Sequence, residues 1–183
     1  YERPNALLIG GGVGIPPMVF IADALRTDER FKPLAILGSE IPFPFEHQVS
    51  AIDTPWLDEG AWCGMPLLED WGIPSRLASL AGFNGCYEGY VSDLAVRWLA
   101  GLSGAELAKV QVFACGPTPM LRAVAAQVEQ YGVACQVSLE EYMACAVGGC
   151  AGCTVKIETP DGPAMKRVCV DGPVFDSREV VWE

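Results

Sequence analysis

Apolar residues along this chain recur in two rhythms. Asn5–Ile9 and Pro33–Leu37 are short apolar runs, the pattern of buried strands, and Val110–Ala114 and Ala134–Leu139 read as further strands. Between them the spacing widens to a helical period. Pro16–Leu25 carries its prolines where a first helical turn tolerates them. Val91, Leu94, Ala95, Trp98, Leu99 and Leu102 form one stripe. Thr118 opens a helix whose Leu121, Val124, Ala125 and Val128 share a face until Tyr131-Gly132 stops it. A further strand is expected within Ala61–Leu68. Pro42–Asp58, with three prolines and mixed periodicity, is given no element. Near the end, Thr154–Thr159 and Met165–Val170 read as two strands joined by the turn Pro160-Asp161-Gly162-Pro163.

This order predicts an α/β fold. Each parallel strand pair needs a right-handed crossover, so the helices lie on both faces of a doubly wound parallel sheet, and ligands sit beyond the carboxyl ends of the strands. A small cysteine-rich module with a short β-hairpin follows. The boundary falls near Glu140, giving residues 1–139 for a nucleotide-binding unit and 140–183 for the module.

Two loops stand where such a fold binds ligands. Gly10-Gly11-Gly12-Val13-Gly14-Ile15-Pro16-Pro17 joins a predicted strand to a helix start, where free N–H groups and the helix dipole favour a phosphate. It departs from G-x-G-x-x-G because Ile15 holds the place of the third glycine. A tight glycine turn without a ligand is the plain alternative. Ala114-Cys115-Gly116-Pro117-Thr118-Pro119-Met120 occupies the equivalent place after a later strand, facing the same crevice; taken alone, Cys115 reads equally as a buried thiol. Glu40 stands just past the second predicted strand, where an acid of a dinucleotide fold accepts hydrogen bonds from the adenosine ribose and disfavours a 2′-phosphate. A solvated loop acid is the other reading.

Four of the eight cysteines, Cys145, Cys150, Cys153 and Cys169, fall in one late segment. The first three have the C-x4-C-x2-C spacing used to hold a [2Fe–2S] cluster, with a fourth thiolate from farther along. Gly148, Gly149 and Gly152 between them leave backbone N–H groups free to approach sulfur. Structural zinc is the main competitor, although its sites usually pair two short knuckles; disulfides and inert thiols complete the alternatives.

Composition supports a reducing, cytoplasmic setting, with half the cysteines grouped as ligands and no signal-like start. A formal charge of −11 with no basic cluster argues against nucleic acid. No apolar run approaches the ~20 residues of a membrane span. His47 is the only histidine, which leaves triad chemistry or a histidine-rich metal site without support.

Taken together, these segments carry a resemblance. The Gly10–Met18 loop resembles the pyridine-nucleotide phosphate loop of the ferredoxin reductase superfamily, and Cys115–Met120 resembles its C-G-P-x-x-M motif. Glu140–Cys145, the four-cysteine spacing and Lys166–Phe175 resemble the electron-transfer subunit of dihydroorotate dehydrogenase. The likeness runs from Pro4 through nearly the whole chain, and Glu88–Asp93 resembles the family's G-x-V-T-D segment.

The resemblance implies NAD contacts from Gly10, Gly11, Gly12, Gly14, Ile15, Pro16, Gly116, Pro117 and Met120. It also implies a catalytic place for Cys115 beside the nicotinamide, and a cluster on Cys145, Cys150, Cys153 and Cys169. Electrons would pass among NAD, FAD, the cluster and the FMN of a dihydroorotate dehydrogenase catalytic subunit, in a hetero-oligomer serving pyrimidine biosynthesis. The family's amino-terminal FAD barrel and its R-x-Y-[ST] motif are missing. Tyr1-Glu2-Arg3-Pro4 is therefore expected to open a fragment of a longer polypeptide that lacks tight flavin binding on its own.

Two departures leave cofactor choice open: Leu37-Gly38-Ser39-Glu40 offers an acid where the family tends to place an arginine, and Leu67–Gly72 with a long insertion replaces T-x-D-G-S. Two other readings stand beside this one. One is the small subunit of an NADH-dependent ferredoxin:NADP reductase. The other, from a different class, is a zinc-binding or nucleotide-sensing module without turnover.

Overall fold

The computed structural model describes residues 3–57 and 60–182. Asp58, the last residue of the stretch left without an element, and both outer ends of the expected units, at residues 1 and 183, lie outside the described residues. In chain order the elements are β1 (Asn5–Gly11), a 3-10 turn (Gly12–Gly14), α1 (Ile15–Arg26), β2 (Lys32–Gly38), β3 (Gln48–Val49), β4 (Cys63–Gly64), α2 (Pro66–Asp70) and β5 (Ser75–Ala78). They continue with α3 (Val91–Ala100), α4 (Gly104–Leu107), β6 (Val110–Cys115), α5 (Thr118–Gln130), β7 (Ala134–Ser138), β8 (Thr154–Ile157), β9 (Ala164–Arg167) and β10 (Val174–Asp176).

One six-stranded sheet in the order β10-β7-β6-β1-β2-β5 organises the molecule. Five strands are parallel, and β10 joins the edge antiparallel to β7. The predicted doubly wound α/β sheet, followed by a cysteine-rich region with a small hairpin of β8 and β9, is what forms. The core follows from the apolar runs. Leu7, Ile9, Val110, Val112 and Val137 turn one way to meet Leu94, Leu99, Leu121 and Val124 of α3 and α5. Leu8, Ala35 and Leu37 turn the other way to meet Ile15, Met18 and Ala22 of α1. Alternation along each strand thus feeds two apolar layers from one sheet.

Chain reversals and helix starts are set locally. Asp93 accepts the Tyr90 N–H at 3.1 Å at the start of α3, and Glu106 accepts the Ser103 N–H at 2.8 Å at the start of α4. Each carboxylate satisfies a donor that the helix cannot.

The third parallel strand is corrected. It is β5, not a strand within Ala61–Leu68; from that stretch only Cys63–Gly64 is extended, paired with Gln48–Val49 in a separate ribbon, and Pro66 starts α2. The obstacle is Arg76, 4% exposed in the middle of β5. Its guanidinium donates to the carbonyls of Ser75 at 2.6 Å and Ile52 at 2.7 Å, so the insertion supplies an acceptor for a cation inside the fold.

The cysteine-rich segment leaves the sheet after β7 and returns to it as β10. Leu139 N–H bonds the Pro173 carbonyl at 2.9 Å where the two ends meet. Cys153, Ile157, Val168, Phe175 and Val180 share the core layer of α3 and α5. The hairpin is tied down again where Val181 N–H reaches the Lys156 carbonyl at 3.0 Å.

Candidate functional site

The strand order reverses at the neighbouring pair β1 and β6, which opens a crevice beyond their carboxyl ends. Its volume is about 710 Å³. Gly11 and Gly12 form one wall, Pro117, Pro119 and Met120 at the start of α5 another, and Ser39, Glu40 and Ile41 after β2 close the far end with Leu80 and Tyr90. No lysine or arginine is among its described lining residues. Apolar walls with a few convergent polar groups are what a small-molecule site offers, and the N-termini of α1 and α5 give it a positive dipole end.

The predicted nucleotide residues divide by position. Gly11, Gly12, Glu40, Pro117 and Met120 line the crevice. Gly10, Gly14 and Ile15 do not; they are buried beneath it, and Pro16 faces outward from α1. Gly14 shows why a side chain is excluded there, since a Cβ would run into the carbonyl of Cys115, where the two loops pass backbone against backbone. Cys115 ends β6, paired with Gly10 and Ser138 in the register of the sheet. Burial, opposed by a hydrogen bond with the Ser138 side chain, raises its pKa, so Cys115 stays a neutral thiol at pH 7. Gly116 lines a neighbouring pocket of about 380 Å³ with Pro117, Thr118, Glu140, Glu141 and Tyr142. The second loop thereby abuts the segment that leads to the late cysteines. Sequence reasoning did not single out Ser39, Ile41, Leu80 or Tyr90 as crevice residues; Ser39 lay beside Glu40 in a quoted segment and Tyr90 inside Glu88–Asp93, while Ile41 and Leu80 carried no signal.

Cys115 aside, the cysteines fall into two groups. Cys63, Cys86 and Cys135 are packed in the core, with burial pushing Cys86 up to about 11 and Cys135 up to about 12. Cys145 and Cys153 go the other way. Backbone N–H groups of Val147, Cys150 and Gly149, together with the Cys150 thiol, bring Cys145 down to about 6; the Cys150 N–H lies 3.4 Å from its sulfur. Cys153 is lowered chiefly by the backbone N–H of Cys169. Cys169 is raised, first by its hydrogen bond with the Cys153 side chain, against an opposing Gly148 N–H. Gly152 N–H points at the Cys150 sulfur from 3.3 Å.

The side chains of Cys145 and Cys150 interact, as do those of Cys153 and Cys169, and Cys145 also bears electrostatically on Cys169. Among the described residues no three His, Cys, Asp or Glu side chains converge as one metal ion would require. Ala146 and Ala151 are held at φ +55° and +54° in this loop. Left-handed backbone at non-glycine residues persists where surrounding structure over-determines it, commonly at functional sites.

Residues 140–181 match the family described as the iron–sulfur cluster binding domain of dihydroorotate dehydrogenase B. Nearly the whole chain is similar to the dihydroorotate dehydrogenase B (NAD(+)) electron transfer subunit of Caldanaerobacter subterraneus subsp. tengcongensis, at 30% identity over 99% of this chain and 61% of that protein. The same subunit of Bacillus caldolyticus is 34% identical over 97% of this chain and 57% of its own length. The chain is a homologue of these electron transfer subunits.

It spans about three fifths of the length of these curated relatives. All four late cysteines lie inside the matched iron–sulfur domain. Among solved structures, that of an NADH-dependent reduced ferredoxin-NADP oxidoreductase superposes with a TM-score of 0.71 at 26% identity, over 99% of this chain and 55% of the other. The homology is to electron-transfer subunits of an oxidoreductase family. Among the described residues no helix is long and apolar enough to cross a membrane.

Proposed function

We propose that this chain moves reducing equivalents between a nicotinamide dinucleotide in the glycine-lined crevice and a [2Fe–2S] cluster on Cys145, Cys150, Cys153 and Cys169. The observation that carries the reading is the C-x4-C-x2-C spacing with a fourth cysteine beyond it, inside residues 140–181 that match an iron–sulfur cluster binding domain. Structural zinc sites usually pair two short knuckles instead. When bound, the cluster supplies the one-electron chemistry. The chain supplies the thiolates, and the N–H groups of Val147, Gly149, Cys150 and Gly152 that face them.

In this reading residues 1–139 bind the nucleotide and 140–183 the cluster. Gly10, Gly14 and Ile15 shape the phosphate loop from below, while Gly11, Gly12, Pro117 and Met120 face the ligand. Gly116 and Cys115 sit at the nicotinamide end, with Cys115 a neutral contact rather than a nucleophile. Glu40, in a crevice lined by no described cation, favours NAD over NADP, because a 2′-phosphate would meet a carboxylate and no counter-charge. FAD is held mostly by residues outside this chain.

The electron leaves for an FMN-containing dihydroorotate dehydrogenase catalytic subunit, in the cytoplasm and in service of pyrimidine synthesis. Val147, 80% exposed, and Tyr142, 94% exposed, form an apolar rim around the cysteine loop suited to such a partner. The superposition on the NADH-dependent ferredoxin-NADP oxidoreductase favours a second reading, the small subunit of such an enzyme, which the identity of the copurifying partner separates from the first.

Anaerobically purified full-length protein is expected to carry about two iron and two sulfide per chain, with a rhombic signal on reduction. Cys150→Ala loses both. Stoichiometric zinc without sulfide overturns the reading.

A further inference from the structure

Arg167 closes β9 and stands opposite Thr154 in the hairpin register, one residue beyond Cys153. Its Nε reaches Asp171 Oδ2 at 3.3 Å, and the same oxygen accepts the Arg167 backbone N–H at 2.7 Å. Its carbonyl accepts N–H groups from Val170, Asp171 and Gly172. The turn that presents Cys169 is therefore closed on Arg167 from both sides. The guanidinium then crosses to the other ligand segment, where Nη1 donates to the Gly148 carbonyl at 2.9 Å.

That carbonyl and the N–H of Gly149 belong to one peptide unit. A trans peptide is planar, so its C=O and N–H point in opposite directions. With the oxygen held by a guanidinium, the N–H is aimed the other way, toward Cys145, where it adds the smallest of the N–H contributions; the N–H within 3.4 Å of that sulfur is that of Cys150. The preceding unit sends the Gly148 N–H to Cys169. Gly148 reaches this geometry at φ +81°, and a Cβ there would press on Val170 and Arg167.

We propose that Arg167 is a positioning residue that tunes the cluster: through the Gly148–Gly149 peptide it directs an N–H toward Cys145 and keeps a positive charge beside the cysteine cage. The inference rests on the [2Fe–2S] reading. Reduction adds one negative charge to the cage, and both a donated N–H and a fixed cation favour the more negative state, so Arg167 raises the reduction potential. It also slows cluster loss by joining the segment of Cys145 and Cys150 to the turn of Cys169. The cation matters here because the chain carries a formal charge of −11.

The test compares the full-length holoprotein with Arg167→Gln and Arg167→Lys by anaerobic redox titration and by the rate of iron transfer to a chelator. Arg167→Gln is expected to lower the potential and speed iron release by about tenfold or more, the usual scale for losing an outer-shell partner. Arg167→Lys restores much of the potential, because it keeps the charge, but not the release rate, because it lacks the fork. If the Gln variant assembles no cluster, the Lys variant carries the comparison. A Gln variant with unchanged potential, whatever its release rate, overturns the tuning role. Wild-type protein without iron and sulfide overturns the cluster reading and this role together, whereas an intact cluster indifferent to both substitutions overturns this role alone.

Discussion

Gly14→Ala and Gly12→Ala, two positions apart but opposite in environment, separate what the glycine loop does for the fold from what it does for a ligand. At Gly14 the new methyl meets backbone, the carbonyl of Cys115, and no side chain can swing aside to admit it. Overpacking a tight contact costs about 1–3 kcal/mol, and an obstacle made wholly of backbone, the Cys115–Gly116 peptide, places this case near the upper end. A loss of ~3 kcal/mol in a domain of this size lowers Tm by about 6–12 °C. At Gly12 a Cβ has nothing within 4 Å, but φ is +53°. The left-handed backbone costs alanine about 1–2 kcal/mol, and the methyl projects where a pyrophosphate would lie. Thermal unfolding by circular dichroism and NADH titration by fluorescence are the two assays. Gly14→Ala is expected to be the larger loss of Tm. Gly12→Ala is expected to weaken NADH binding out of proportion to its smaller effect on stability. Equal Tm values for Gly14→Ala and wild type, or a larger drop for Gly12→Ala, would refute the reasoning.

Glu40→Ala in the full-length enzyme is expected to narrow the preference for NADH over NADPH by about tenfold, since one like-charge repulsion is removed at an exposed site; an unchanged ratio of kcat/KM values rejects the role. Val147→Glu places a carboxylate on the apolar rim of the cysteine loop, where burying it unpaired is costly. It is expected to weaken subunit association and NAD-linked dihydroorotate oxidation while leaving the cluster spectrum and NADH-driven flavin reduction intact, and undiminished coupled turnover counts against the interface.

The strands legible in the sequence were those in which no charged residue interrupts the apolar positions. Asn5–Ile9, Pro33–Leu37, Val110–Ala114 and Ala134–Leu139 announced themselves because apolar residues predominate in each and none carries a charge. β5 did not, because Arg76 interrupts its apolar run and is accommodated only through the Ile52 carbonyl, a partner far away in sequence. β10 was missed for a related reason: three residues carry little periodicity, and their pairing with β7 is settled by tertiary packing. The cysteine spacing is a local signal and needed no fold to be read. The grip of Arg167 on Gly148 needed the register of the hairpin, which sequence alone does not supply. In the glycine loop, composition marked the right segment but not which residues face the crevice and which lie under it. That division depends on how closely β6 passes the turn after β1.

The return of the chain from the cysteine segment as β10 gives the molecule an unusual kind of modularity. Topologically, β7 and β10 are the two arms of an antiparallel hairpin, and residues 140–172 occupy the place of its loop. Exchanging a two-residue turn for so long an excursion takes about four doublings of loop length, an entropic cost of roughly 2.4 kcal/mol by slow logarithmic growth. A cysteine-rich unit can thus be spliced into a doubly wound sheet at modest thermodynamic expense, with its entry and exit fastened side by side. The order of the parallel strands is undisturbed, and the crevice and the cysteine loop are anchored to the same rigid ladder.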